Sequence, residues 1–203
     1  MAKIIKSAKG SFTAASITVD GSGRVVTASS GAGAANMKYH YFKSGSASGN
    51  IAAGANVSKT QAFLWGGGGG GGAGDNNPSE VGGSGGTGGF GYFEGPVSGP
   101  ATLAFSVGGQ GNGGPGLRSS GNAGGATNFH NFTANAGNGG GPNTPFSNGN
   151  AGNAPGASTL PVNTSIFFTN VSLGSGGSGG SGPGNTSGSS GSPGGLIVLL
   201  NDG

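Results

Sequence analysis

With 203 residues the chain has room for one domain and a small appendage, and 53 glycines plus 10 prolines leave little for an ordinary aliphatic core. Only 13 residues (8 Lys+Arg and 5 Asp+Glu) are charged, too few for a solvated disordered tail, while 11 Phe, 3 Tyr and 1 Trp supply packing surface. The net charge of +3 comes with no Arg-Gly-Gly box and no basic stripe, which gives nucleic-acid binding poor support, and zero cysteines exclude a disulfide-stapled scaffold.

The first 37 residues read as a separate module. Ser16-Ile-Thr-Val-Asp20 alternates polar and apolar like a half-buried strand, Gly21-Ser-Gly23 is a turn, and Arg24-Val-Val-Thr27 is the return strand. Lys3, Lys6, Lys9 and Lys38 give this end a weak positive bias toward an acidic partner or plain solvent. The module has too few apolar residues to stand alone, so it is expected to dock on another protein or on copies of itself.

The glycine-rich domain is expected over 38–203, with strands near 38–43, 58–65, 101–107, 165–169 and 196–200. Ser44 to Asn50 reads as a loop and Ile51 to Val57 as a turn. Gln61-Ala-Phe-Leu-Trp65 then runs straight into seven glycines, Gly66 to Gly72. Glycine arrays fill 66–91, 108–156 and 174–195. Gly82 to Gly91 repeats Gly-Gly-x, with Ser84, Thr87 and Phe90 in the third place. From Gly176 to Gly194 every third residue is glycine except Asn185.

A period of three matches neither strand nor α-helix. It matches the threefold polyproline-II helix, and the last array would span roughly 60 Å at ~3.1 Å per residue. That helix has no internal hydrogen bonds, so glycine faces let neighbouring helices approach until their backbones satisfy one another. A flexible Gly/Ser linker is the alternative, but Thr102-Leu-Ala-Phe-Ser-Val107 and Ser165-Ile-Phe-Phe-Thr169 interrupt the arrays as linkers do not. The fold class is therefore mainly β with polyglycine-II helices and almost no α-helix.

Two stretches resemble known families. Phe12 to Gly31 is similar to a short hairpin unit of phage tail-fibre proteins, where it serves as a shaft or connector. Ala62-Phe-Leu-Trp-Gly66, Tyr92 to Gly109, Gly124-Gly-Ala-Thr-Asn-Phe129 and Pro193-Gly-Gly-Leu-Ile-Val-Leu199 follow the motif order of the glycine-rich domain at phage tail-fibre tips. The resemblance implies a virion protein made in the host cytoplasm. It implies a sandwich of polyglycine-II helices with variable loops, and attachment to other virion proteins through the N-terminal module. A homotrimer and a host-surface glycan or outer-membrane protein as receptor are also what it implies. Met1 to Gly10 has no apolar run like a signal peptide, and no stretch reaches the ~20 apolar residues of a membrane span.

The carboxylates Asp20, Asp75, Glu80, Glu94 and Asp202 are scattered, so no paired general acid and base is legible. His40 and His130 without cysteine make no zinc site, and loose G-x-G-x-x-G matches carry no information in so glycine-rich a chain. No enzyme, metal or cofactor is expected. Asn128-Phe-His-Asn-Phe132, Phe90-Gly-Tyr-Phe93 and Thr144-Pro-Phe-Ser-Asn148 set rings among amides, as adaptable recognition surfaces do. The candidate receptor contacts are Phe129, His130, Asn131, Phe132, Phe146, Asn148, Tyr92 and Phe93. The competing reading is that these rings fill gaps. Other functions left open are a capsid decoration or head fibre without a receptor and, more distantly, an ice-binding surface built on Thr87 and the serines at 84, 175, 178 and 181.

Overall fold

The computed structural model describes residues 15–19, 21, 25–30, 36–42, 47–75, 80–97, 100–142, 174–177, 179–180 and 186–202. They form ten strands, and no α-helix occurs among them. β1 (Ala15–Val19) and β2 (Val25–Ser30) make an antiparallel pair of their own, with a register shift between Thr18 and Val19. A four-stranded antiparallel sheet has the order β3 (Asn36–Phe42), β10 (Gly195–Asp202), β5 (Val57–Trp65), β6 (Phe90–Pro96). A second has the order β4 (Ser48–Ala53), β7 (Ala101–Ser106), β8 (Thr127–Phe129), β9 (Phe132–Ala134).

The two four-stranded sheets face each other across one core. Alternation along the strands sends Ala62, Leu64, Leu196, Val198 and Leu200 inward, where they meet Ile51, Leu103, Phe105 and Phe129. Phe63, Trp65 and Ile197 point the other way and cluster with Phe90 and Leu199. β5 and β10 are thus apolar on both faces, which is why they read as unbroken apolar runs. Glycines in β6 make room for rings: a Cβ at Gly91 would lie 2.4 Å from Phe132, and one at Gly95 would lie 2.8 Å from Phe93.

At Trp65 the chain leaves β5 and enters the segment 66–75, whose amides donate outward in a three-residue rotation. Gly66, Gly69 and Gly72 donate to the carbonyls of Gly89, Gly86 and Gly83 at 2.8–2.9 Å. Gly67, Gly70 and Ala73 donate to Gly125, Asn122 and Ser119, and Gly68, Gly71 and Gly74 donate to Ser192, Ser189 and Thr186. Falling partner numbers make 82–89, 119–125 and 186–192 antiparallel neighbours. The carbonyls of 66–75 accept from Gly137 and Gly140, from Gly111 and Gly114, and from Gly177 and Gly180. Rising numbers make 135–141, 108–114 and 174–180 parallel neighbours. One glycine segment is therefore hydrogen-bonded by six others, three of each direction.

The six also bond to one another in a closed ring. Its order is 82–89, 135–141, 119–125, 108–114, 186–194, 174–180, and back to 82–89, with direction alternating at each step. Most ring members are continuations of sandwich strands. β7 and β9 run into 108–114 and 135–141, while 82–89, 119–125 and 186–194 run into β6, β8 and β10. Glycine is required because backbones touch. A Cβ at Gly68, Gly69 or Gly72 would lie 1.9–2.0 Å from a neighbouring carbonyl oxygen. The third positions Ser84 and Thr87 face solvent.

Expected strands near 38–43, 58–65, 101–107 and 196–200 correspond to β3, β5, β7 and β10; 165–169 lies outside the described residues. The loop at 44–50 and turn at 51–57 are corrected: Ser48–Ala53 is a strand, and β5 starts at Val57. The single 60 Å run expected for 174–195 is corrected too. Its parts 174–180 and 186–194 lie antiparallel side by side, through Ser192 N–H to Ser175 and Gly174 N–H to Pro193. Folding back pairs amides that one long helix would leave to solvent.

At the junction of sandwich and glycine bundle, Thr127 is fully buried. Its hydroxyl accepts from the Gly108 amide at 3.0 Å and donates to the Trp65 carbonyl at 2.6 Å. Thr60 is as deeply buried, but its hydroxyl has no partner. Thr127→Val should therefore cost about 1–3 kcal/mol of unfolding free energy, whereas Thr60→Val should be neutral or stabilising. Chemical denaturation of the two variants checks this pair. A second expectation concerns the lattice: Gly69→Ala should cost about 3 kcal/mol or more, and Thr87→Ala less than about 0.5 kcal/mol, by thermal unfolding.

Candidate functional site

Three surfaces hold chemistry that a glycine lattice itself lacks. The first is the end of the bundle remote from the sheets. The chain leaves 66–75, 108–114, 135–141 and 174–180 there, and enters 82–89, 119–125 and 186–194 there. Asp75 and Glu80 are buried at this end. Arg118 sits in the turn between 108–114 and 119–125, and both its Nε (2.9 Å) and a terminal guanidinium nitrogen (2.7 Å) reach Asp75 Oδ2. Its φ of 56° lies in the left-handed region that side chains avoid, and the charge-assisted bonds offset that strain. Leu117 beside it is 48% exposed. Phe146 and Asn148 fall outside the described residues.

The second surface is the β8–β9 hairpin, on the flank of the sandwich. Four of the sequence candidates meet here: the Phe93 ring centroid lies 5.9 Å from Phe129, 6.3 Å from His130 and 6.3 Å from Phe132. Their accessibilities differ. Phe129 is 0% exposed and belongs to the core, out of reach of any surface ligand. Phe93 and Phe132 are partly buried against that core. His130 and Asn131 form the two-residue turn and are exposed, with His130 at φ 54° and its amide bonded to the Ala104 carbonyl at 2.8 Å. Beside the turn Asn128 donates to Ser106 Oγ and accepts from Thr133.

The third surface was legible only in part. Alternation puts Tyr92, Glu94 and Pro96 on the outer, exposed face of the edge strand β6, away from Phe93. Pairing sets Gln61 opposite Glu94 and Lys59 opposite Pro96. Lys59 Nζ lies 2.6 Å from Glu94 Oε1; Gln61 Nε2 donates to Glu94 Oε2 at 2.8 Å and to the Tyr92 hydroxyl at 3.0 Å. The Tyr92 hydroxyl in turn donates to Glu94 Oε2. Its ring leans on Phe63, 5.0 Å between centroids. A cavity of about 320 Å³ opens beside this network, lined by Ser58, Lys59, Glu94, Gly95 and Pro96. No motif marks the cluster; its only signal was the period-two spacing of Tyr92 and Glu94.

The hydrogen bond from Lys59, then those from Tyr92 and Gln61, hold the Glu94 carboxyl down at about 2. Desolvation, then Glu94, raises the Tyr92 phenol above its ordinary value. Among the described residues no group of three or more His, Cys, Asp and Glu converges as metal ligands. Of the hydroxyl row that an ice-binding surface would use, Ser84 and Thr87 are exposed. Ser175 is engaged with Ser192 at 2.7 Å. Positions 178 and 181 lie outside the described residues.

Because the folded-state value of Glu94 lies below the ordinary 4.5, its anionic form is favoured by folding. That contribution is present above pH 4.5 and is lost as pH falls toward 2. A carbon-detected titration should find the Glu94 midpoint near 2, and Lys59→Ala should move it upward. No family model matches the sequence, and no curated protein matches it.

Proposed function

We propose that the chain is a bacteriophage virion fibre or tip protein that attaches the particle to its host through connections carried on a polyglycine-II lattice. The observation that carries this reading is the six-neighbour bonding of 66–75. Threefold glycine helices in hexagonal array make that pattern, because each turn aims successive amides about a third of a turn apart. Such a bundle is stiff in all lateral directions, and it brings the segment ends together at its remote end. Recognition on loops held by a rigid scaffold is a common division of labour. A linker or tail needs no such scaffold.

In this reading the N-terminal module, 1–37, joins the chain to other virion proteins, and the assembled fibre is a homotrimer. The remote end of the bundle carries receptor contacts, and Phe146 and Asn148, which lie outside the described residues, stay receptor candidates on their sequence alone. His130 and Asn131 are the exposed members of a lesser, lateral candidate surface. Phe129 acts as filler there, since a fully buried ring packs the core.

The test has two sides. Phe146→Ala should weaken host-cell adsorption about thirtyfold while leaving the melting temperature within error, as truncating an anchor in an interface costs ~2 kcal/mol or more. Phe129→Ala should instead lower stability by about 3–5 kcal/mol. Immunogold labelling should place the chain on virions. Label absent from purified particles, or adsorption unchanged by any remote-end substitution, would overturn the reading.

A further inference from the structure

We propose that the cavity at the β5–β6 edge is a saccharide subsite, taking one sugar unit of a neutral glycan. The inference rests on the host-attachment reading for its biological setting, but its argument comes from the cavity itself. At about 320 Å³ this open depression is at the lower end of the range for small-ligand sites and large enough for a single pyranose.

Its walls suit a sugar in three ways. First, charge is balanced within the site: Lys59 and Glu94 pair at 2.6 Å, so a polyanion meets the carboxylate and a polycation meets the ammonium. Second, donor and acceptor stand side by side. Glu94 Oε2 already accepts from Gln61 and Tyr92, while among the described residues Oε1 accepts only from Lys59. One hydroxyl of a vicinal pair can donate to Oε1 while its neighbour accepts from Lys59 Nζ, which has three protons to give. Third, the ring of Pro96 lines the cavity next to Glu94, while Tyr92, one pleat repeat to the other side, leans on Phe63 and borders the site where a second sugar unit would lie. They offer apolar faces to the C–H side of a pyranose.

The network also prepares the site in advance. Gln61 and Tyr92 fix the Glu94 carboxylate before any ligand arrives, so less side-chain freedom is lost on binding. The hydrogen bonds from Lys59, Tyr92 and Gln61 hold the Glu94 carboxyl in its anionic, accepting form through the neutral range.

The experiment uses the full chain with neutral hexasaccharides of glucose, galactose, mannose and N-acetylglucosamine, and heparin as a polyanionic control. Resonances of Lys59, Glu94 and Tyr92 are followed on titration. At least one neutral hexasaccharide should shift them, with a Kd of about 1 mM or tighter. Glu94→Gln and Tyr92→Ala should each weaken that binding about tenfold or more, measured at a temperature where circular dichroism shows each variant fully folded. Silence from all neutral sugars, or response to heparin alone, overturns the subsite. So does binding that survives both substitutions. Host-cell adsorption of the same variants separates the two proposals. A chain that adsorbs to cells yet ignores the sugars loses the subsite and keeps the attachment role. A chain that binds sugar at this cavity yet does not adsorb loses the attachment role and keeps the subsite.

Discussion

The structure depends on one set of contacts: the amides of residues 66–74, each paired to a carbonyl of a different neighbouring segment in strict rotation. An extended segment buried at the centre of a bundle has nowhere to hide its polar groups, and unpaired buried amides are among the costliest defects a fold can have. Rotation by a third of a turn per residue solves this only if neighbours stand on all sides. Six do. The same rotation explains why 66–75 is buried throughout without one large side chain.

Ordering glycine is entropically costly, more than for any other residue. Each backbone hydrogen bond contributes only about 0.5–1.5 kcal/mol net. The bundle therefore cannot form one segment at a time, because a lone pair of glycine strands would lose more freedom than it gains. It becomes favourable when every segment shares its bonds among several partners. The ring segments show how that is arranged. Gly83 and Gly86 both accept from 66–75 and donate to 135–141, and Gly82 and Gly85 donate to 174–180. In two Gly-Gly-x units the third residue, Ser84 or Thr87, is left for solvent, while Phe90 in the next unit packs against Trp65.

That arithmetic was visible in the sequence. The period of three fixed which faces needed glycine, and the strands around Trp65 and Leu196 announced themselves by apolar runs. What stayed hidden is equally physical. β6 carries Gly91 and Gly95, which dilute any strand signal, yet they are there because the rings of Phe132 and Phe93 occupy the space of a Cβ. β8 and β9 are three residues each, too short to show alternation. The arrays read as long helices because a repeat says nothing of where it folds back. Phe129 and His130 are adjacent in sequence, but one is fully buried and the other is the turn. Thr127 looked like any threonine in a glycine-rich stretch, and only its two backbone partners reveal its place at the junction.

The two halves of the domain answer different needs. A glycine lattice has little to define register, since sliding one segment by three residues restores nearly every hydrogen bond. A sandwich core cannot slide that way, because each one-residue slip sends the apolar set to the wrong face and each larger slip breaks the packing. Leu64, Leu196, Phe105 and Phe129 thus fix the strands, and the strands deliver the glycine segments in register. The direction of information runs from side chains to backbone. Where ring neighbours continue strands of one sheet, as 108–114, 119–125 and 135–141 do from β7, β8 and β9, they inherit the antiparallel pairing of those strands. Thr127 ties the transfer: one hydroxyl joins the last carbonyl of β5 to the first amide of 108–114, at the point where side-chain packing gives way to backbone pairing.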